Sequence, residues 1–177
     1  MPGCLQRHSN MALASYFRAK ADPSGRGIWD GRSPRSFTVG STTLPSMHGR
    51  RLTSCAWLQH LVYYQLAGKL FADLRSTLGS LRFIEARCYQ GHSSAEYMLA
   101  DYFAATTMVR NVKYAVLKQQ LAHLGTVTRA SQARWLGEFR TFLGRHMHGL
   151  VAHPHMTFQM GMNQVAWLRG PVLARMY

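Results

Sequence analysis

Residues 58–78 read LQHLVYYQLAGKLFADLRSTL, and this stretch decides the fold. Leu58, Val62, Leu66, Leu70, Leu74 and Leu78 recur every fourth residue, with Leu61 filling the stripe. Apolar side chains three and four apart share one face of an α-helix, whereas a strand alternates every second residue. The stretch therefore predicts a one-sided helix that begins near Leu52 and is punctuated by Gly79. Ser80 is placed to cap a short helix from Leu81 to Tyr89, since its hydroxyl can accept from a first-turn amide. Gly91 ends that helix.

Further along, Ser93 followed by Glu96 has the spacing of a capping box, in which two side chains satisfy each other's backbone donors. The helix expected behind it carries Met98, Tyr102, Ala105, Val109, Val112, Val116, Leu117, Leu121 and Leu124 on one face, with Gly125 as its C-terminal cap. Another helix is predicted from Ser131 to Val151, with Trp135, Leu136, Phe139, Phe142, Leu143, Met147 and Leu150 inward and Pro154 as its stop. A last short helix spans Thr157 to Gln164, and Gly170 and Pro171 mark the tail.

Toward the N-terminus, Leu5, Ala12, Leu13, Tyr16 and Phe17 suit a one-sided helix from Leu5 to Lys20. Asp22-Pro23-Ser24-Gly25 then supplies turn chemistry. Eight glycines and prolines between residues 22 and 50 forbid a long helix there, and Ile28-Trp29 with Phe37-Thr38-Val39 fit a small hairpin. The fold class is all-α, a multi-helix bundle or arm with a short irregular or hairpin segment around residues 22–50.

The chain holds 177 residues, 47% of them hydrophobic, enough to bury the core of one ordinary domain. Its longest apolar stretch, Leu58 to Leu74, is interrupted by Gln59, His60, Gln65, Lys69 and Asp73, too polar for a membrane span. No signal-like run opens it, and Cys4, Cys55 and Cys88 are too few and too scattered for a disulfide framework. These features point to a cytoplasmic chain without a membrane partner.

Lys plus Arg number 21 against 7 acids, a formal charge of +14, and 17 of the bases are Arg. A basic surface can meet nucleic acid or an acidic partner. The bases are dispersed, however, and the densest pairs are only Arg32/Arg35 and Arg50/Arg51.

Chemistry-bearing motifs are missing. No phosphate-binding loop, dinucleotide fingerprint, zinc-protease helix or nucleophile elbow occurs. The seven acids, Asp22, Asp30, Asp73, Glu85, Glu96, Asp101 and Glu138, form no pair on one helix face. His146, His148, His153 and His155 could ligate zinc or copper by residue type. No Cys or acid accompanies them, and Pro154 separates the two pairs, so they read as helix-end histidines beside the carbonyl dipole. Tyr63, Tyr64, Phe71, Tyr102, Phe103, Trp135, Phe139 and Phe142 fall at helical spacing and read as core, whereas Trp29, Trp57 and Trp167 have no clear place. The expectation is no catalytic, cofactor or metal site, no small-molecule substrate, and no enzyme.

Three stretches resemble a region of NACHT-type NTPases that carry WD repeats, including telomerase-associated-protein-like chains. They are HSNMALASYFRAKADPSGRGIW from His8 to Trp29 with GRSPRS from Gly31, then LRFIEARCYQG from Leu81 to Gly91 with LADYFAA at Leu99 to Ala105, and HMHGLVAHPHMTFQMGMNQ from His146 to Gln164. They occur in the family's order between His8 and Gln164. Two departures stand out: STTLPSMH at Ser41 to His48 lacks the family's Glu, and Gln164 is followed by Val165 rather than Pro.

The resemblance implies that residues 1–50 are the tail of a winged-helix-like element, 51–164 a helical arm, and 165–177 an irregular tail. It further implies a non-catalytic linker or scaffold between an NTPase module and WD repeats, contacting domains or proteins through apolar helix faces. The alternative is a basic helical RNA-binding module, which predicts that Arg50, Arg51, Arg82, Arg87, Arg129 and Arg134 gather on one face.

Overall fold

A computed structural model describes residues 2–22, 24–25, 56–122 and 128–163. Among them the fold is all-α. Its helices are α1 (Pro2–Ala21), α2 (Ala56–Ala67), α3 (Phe71–Leu78), α4 (Leu81–Cys88), α5 (His92–Asn111), α6 (Tyr114–Leu121), α7 (Arg129–Ala152) and, after a 3₁₀ turn at Pro154–Met156, α8 (Thr157–Met162). The predicted hairpin and the 165–177 tail lie outside the described residues. The Asp22 turn is present: the Gly25 amide donates to the Asp22 carbonyl (3.1 Å) and the Ser24 hydroxyl to its carboxylate (2.9 Å).

The leucine stripe is buried as expected except at half-buried Leu70, but it belongs to two helices rather than one. Leu58, Leu61, Val62 and Leu66 are buried on α2 and Leu74 and Leu78 on α3. Between them, the Lys69 amide donates to Leu66 and the Leu70 amide to Gln65, with Lys69 at φ 56°. This is a left-handed helix stop, here without glycine at its left-handed position. The break has a physical cause. A repeat of four overshoots a 3.6-residue helix by about 40° each time, so six such residues cannot stay on one straight face. Gln120 of α6 secures the break: its amide oxygen accepts from the Phe71 amide (2.7 Å), and its nitrogen donates to the Lys69 carbonyl (2.9 Å).

The long helix expected after Ser93 is likewise two, α5 and α6, separated by extended backbone at Val112 and Lys113. Met98, Tyr102, Ala105, Val109, Leu117 and Leu121 are buried as expected, and Val112 and Val116 pack partly against the same core. Leu124 and Gly125 lie outside the described residues. Ser93 and Glu96 do not form the expected capping box. Helix α5 starts two residues earlier, behind Gly91 at φ 98°, and both side chains are exposed. The capping box belongs to α7, where Thr128 and Ser131 exchange two 3.0 Å bonds between side chain and backbone. Ser80 caps α4 as predicted, accepting from Phe83 (3.3 Å).

Helix α7 fulfils its prediction in full, with all seven named residues buried. It packs along α5. Tyr102 stacks on Phe139 (6.0 Å), Phe103 meets Arg140, and His92 meets His148 (5.4 Å), so the pair runs antiparallel. Around this pair α2, α3 and α4 close the core. Trp135 lies against Phe139 (4.8 Å), the Arg75 guanidinium sits over the indole (4.4 Å), and the Tyr102 hydroxyl donates to the Leu78 carbonyl.

Helix α1 corrects another expectation. Its inner face consists of Met11, Ala14, Phe17, Arg18 and Ala21, with Ala14 and Ala21 fully buried. Of the predicted stripe only Phe17 points inward; Leu5, Ala12, Leu13 and Tyr16 are exposed. Helix α1 rests on α2. Met11 lies over Gly68, where an added Cβ would come within 3.2 Å of it, and the Arg7 Nε donates to the Gly68 carbonyl (3.3 Å). An ion pair from Arg18 to Asp73 ties it to α3.

Candidate functional site

Three of the described acids pair with bases. Asp73 pairs with Arg18, Asp101 with Arg87 (3.3 Å) and Glu138 with Arg134 (3.1 Å), while Glu96 is exposed. Asp22 is buried in its turn. Among the described residues no group of three or more His, Cys, Asp or Glu side chains is arranged to hold a metal. The four histidines are dispersed: His146 lies against Phe142 (5.3 Å), His148 against His92 across the helix pair, and His153 against His155 (5.9 Å). Cys88 is a buried small hydrophobe, and burial pushes its thiol up to about 12, so it stays protonated and unreactive.

One polar centre escaped the sequence reading. Arg87 is wholly buried. Its Nη1 donates to the Leu58 carbonyl (2.8 Å), and its Nη2 donates to the Ser94 carbonyl (3.0 Å) and the Asp101 carboxylate. The guanidinium thus joins α4 to α2 and to both the first turn and the middle of α5. Burial lowers its pKa, and the Asp101 charge opposes that shift. Burial likewise pushes Asp101 up to about 6, with Arg87 pulling the other way. A buried ion pair whose two Nη groups also meet backbone carbonyls fixes helix positions, while the buried Nε has no hydrogen-bond partner.

Of the six arginines that the nucleic-acid reading names, one is taken out of any surface patch. Arg87 is inside, Arg82 is exposed on α4, and Arg129 and Arg134 are exposed on α7. Arg50 and Arg51 lie outside the described residues.

Exposed apolar side chains mark the surface instead. Leu5 is 76% exposed, Tyr16 56% and Tyr63 61%. Tyr63 thereby departs from its expected core position, as does Phe103 on α5. The rings run in sequence across α1 and α2: Tyr16 edge-on to Phe17 (5.5 Å), Phe17 stacked on Tyr64 (5.2 Å), and Tyr64 edge-on to Tyr63 (5.2 Å). Phe71, Tyr102, Trp135, Phe139 and Phe142 are core, as expected. Trp29 and Trp167 lie outside the described residues, and so does the side chain of Trp57.

The class defined by these observations is an all-α multi-helix protein with a buried ion pair and, among the described residues, exposed apolar side chains on α1, α2 and α5. Among the described residues no helix is long and apolar enough to cross a membrane. Comparison with family models, curated proteins and solved structures finds no match.

Proposed function

We propose that the chain is a non-catalytic helical scaffold that docks other domains or proteins through the outer face of α1. The observation that supports this most is the reversal of that helix. Leu5, Ala12, Leu13 and Tyr16 are turned to solvent beside Ser9 and Lys20, while Met11, Ala14, Phe17, Arg18 and Ala21 form the inner face. Burying apolar surface drives association, and an apolar helix face in contact with solvent offers surface to a partner. The resemblance to the region between the NTPase module and the WD repeats of NACHT-type proteins supplies candidate partners, namely those two modules. In this reading the closed core around Arg87 makes the body a rigid lever, and α1 is the element that meets the neighbouring module.

The test is co-expression of this chain with an NTPase module and, separately, with a WD propeller of that family, followed by co-purification. A complex that forms with one of them and is lost in Leu5→Ser/Tyr16→Ser, with the melting temperature unchanged, is the expected result. No complex with either module, or one indifferent to the double variant, overturns the proposal. Turnover of ATP above buffer by the purified chain would overturn its non-catalytic part.

A further inference from the structure

A second surface lies along the outer seam of α5 and α7. An open groove of about 710 Å³ runs between Leu99, Ala100 and Phe103 of α5 and Gly137, Arg140, Thr141 and Gly144 of α7. Phe103 is 58% exposed, and the Arg140 guanidinium lies 5.4 Å from its ring centre.

The glycines carry information beyond the cavity. Gly137 and Gly144 are seven residues, two turns, apart within a 24-residue helix, where glycine is the poorest former after proline. A Cβ added at either position would meet nothing within 4 Å. Gly149 and Gly161 differ, because an added Cβ would come within 3.1 Å of Met160 and 2.8 Å of Leu81 respectively. Internal packing therefore accounts for the latter pair and not for the former. At 137 and 144 the missing side chains leave backbone open on the groove wall.

Charge sets what the groove can accept. Its lining contains one cation, Arg140, and no acid. Helix α7 carries Arg129, Arg134, Arg140 and Arg145 against one acid, Glu138, which Arg134 already engages. Glu96 lies one turn before Ala100, toward the His92 and His148 end, so the basic character is strongest at the opposite end, with Arg110 in the last turn of α5.

We infer that this groove seats an acidic amphipathic helix of a protein partner. Bulky apolar side chains lie over Gly137 and Gly144, and a carboxylate meets Arg140. An opposing helix presents side chains at i, i+3, i+4 and i+7, and the last spacing matches the two-turn separation of the glycines. The inference deepens the scaffold reading by adding a second docking surface with a stated partner chemistry. It shares no residue with α1.

The experiment uses the full chain and two labelled synthetic helical peptides about 20 residues long. Both carry leucine at i, i+3, i+4 and i+7; one has Glu and the other Lys at the flanking positions. Fluorescence anisotropy is expected to show the Glu peptide bound at least about tenfold more tightly, an advantage that shrinks as salt is added. Gly144→Leu should fill the groove and abolish binding, and Arg140→Glu should shift the preference toward the Lys peptide. Gly137→Ala and Gly144→Ala should each raise the melting temperature by about 2–4 °C while weakening binding, which separates lost docking from lost folding.

Equal affinity for the two peptides, no binding of either, or Glu-peptide binding unchanged in Gly144→Leu overturns the inference. So does tighter binding of an oligouridylate that Phe103→Ala removes, since that result assigns the groove to nucleic acid. Leu5→Ser/Tyr16→Ser should leave the Glu-peptide affinity unchanged. If that variant loses the peptide while Gly144→Leu keeps it, the peptide sits on α1, and the groove inference fails while the scaffold reading stands.

Discussion

Arg87 and the outer face of α1 are opposite departures from ordinary burial. At Arg87 a permanent charge is inside, and the structure meets it with an aspartate and two backbone carbonyls drawn from two other helices. On α1 the apolar Leu5, Leu13 and Tyr16 are outside, while Met11, Ala14, Phe17 and Ala21 with Arg18 face the interior. Arginine is rarely buried unless it is paired, whereas a single exposed leucine is commonplace. The contrast teaches where each helix gets its position. Specific polar contacts hold α4 and α5 to each other, so their geometry is set inside the molecule. Helix α1 rests on α2 with two polar tethers, and part of its apolar surface stays available to something else.

The largest expected effect tests the inner half of that contrast. Arg87→Ala leaves Asp101 desolvated and unpaired and should cost about 3–5 kcal/mol in urea unfolding. Replacing both partners with apolar or neutral groups, as in Arg87→Met/Asp101→Asn, should recover a large part of the loss. A cost below about 1 kcal/mol for Arg87→Ala would mean that the buried pair does not position the helices.

The same pair gives stability a pH dependence. Asp101 titrates near 6 in the folded chain against 3.8 for the free side chain, so the native state binds the extra proton between those values. Stability from this group is fully present below about pH 4 and is lost as pH rises through about 6, by at most about 3 kcal/mol. Asp101→Asn should flatten the pH profile of the melting temperature in that window. If the profile between pH 4 and 6 is the same in both proteins, the assignment to Asp101 is wrong.

How far these features could be read in the sequence depended on whether their causes were local. Helix α7 was legible because its apolar residues follow three-and-four spacing and Pro154 stops it. The break at Lys69 was not, because it depends on Gln120, some fifty residues away. The strict repeat of four nevertheless held a clue, since no straight helix sustains it. The face of α1 was misread because it carries two competing stripes, and only contact with α2 chooses between them. Arg87 looked like any other base, since its aspartate lies fourteen residues on with no local signal. The Gly137/Gly144 spacing was visible, but it meant nothing until α5 was in place beside it.

Glycines extend the inside-outside comparison at smaller cost. Gly79 ends α3, where an added Cβ would fall 2.7 Å from the Trp135 ring and 2.8 Å from the Arg75 carbonyl. Neither buried indole nor backbone can yield easily, so Gly79→Ala should destabilise by about 1–3 kcal/mol. Gly137→Ala, facing open space, should have the reverse sign and stabilise by about 0.5–1 kcal/mol. Chemical denaturation of the two single variants decides it. Equal signs would show that the open groove is filled by something within the chain.

The smallest expected change is the most discriminating for α1. Leu5→Ser and Tyr16→Ser remove apolar atoms that already face water, so each should alter stability by no more than about 0.5 kcal/mol. Ala14→Asp, on the inner face of the same helix, places a carboxylate against α2 and should cost several times as much, because burying an unpaired charge is expensive. The pair of results measures the orientation of the helix directly, without any partner present. If the serine variants are the costly ones, the outer stripe is covered within the molecule, and the docking role passes from α1 to the α5–α7 groove. If the costs fall as expected, the outer stripe contributes nothing measurable to folding, and its apolar character is left to be explained by what binds there.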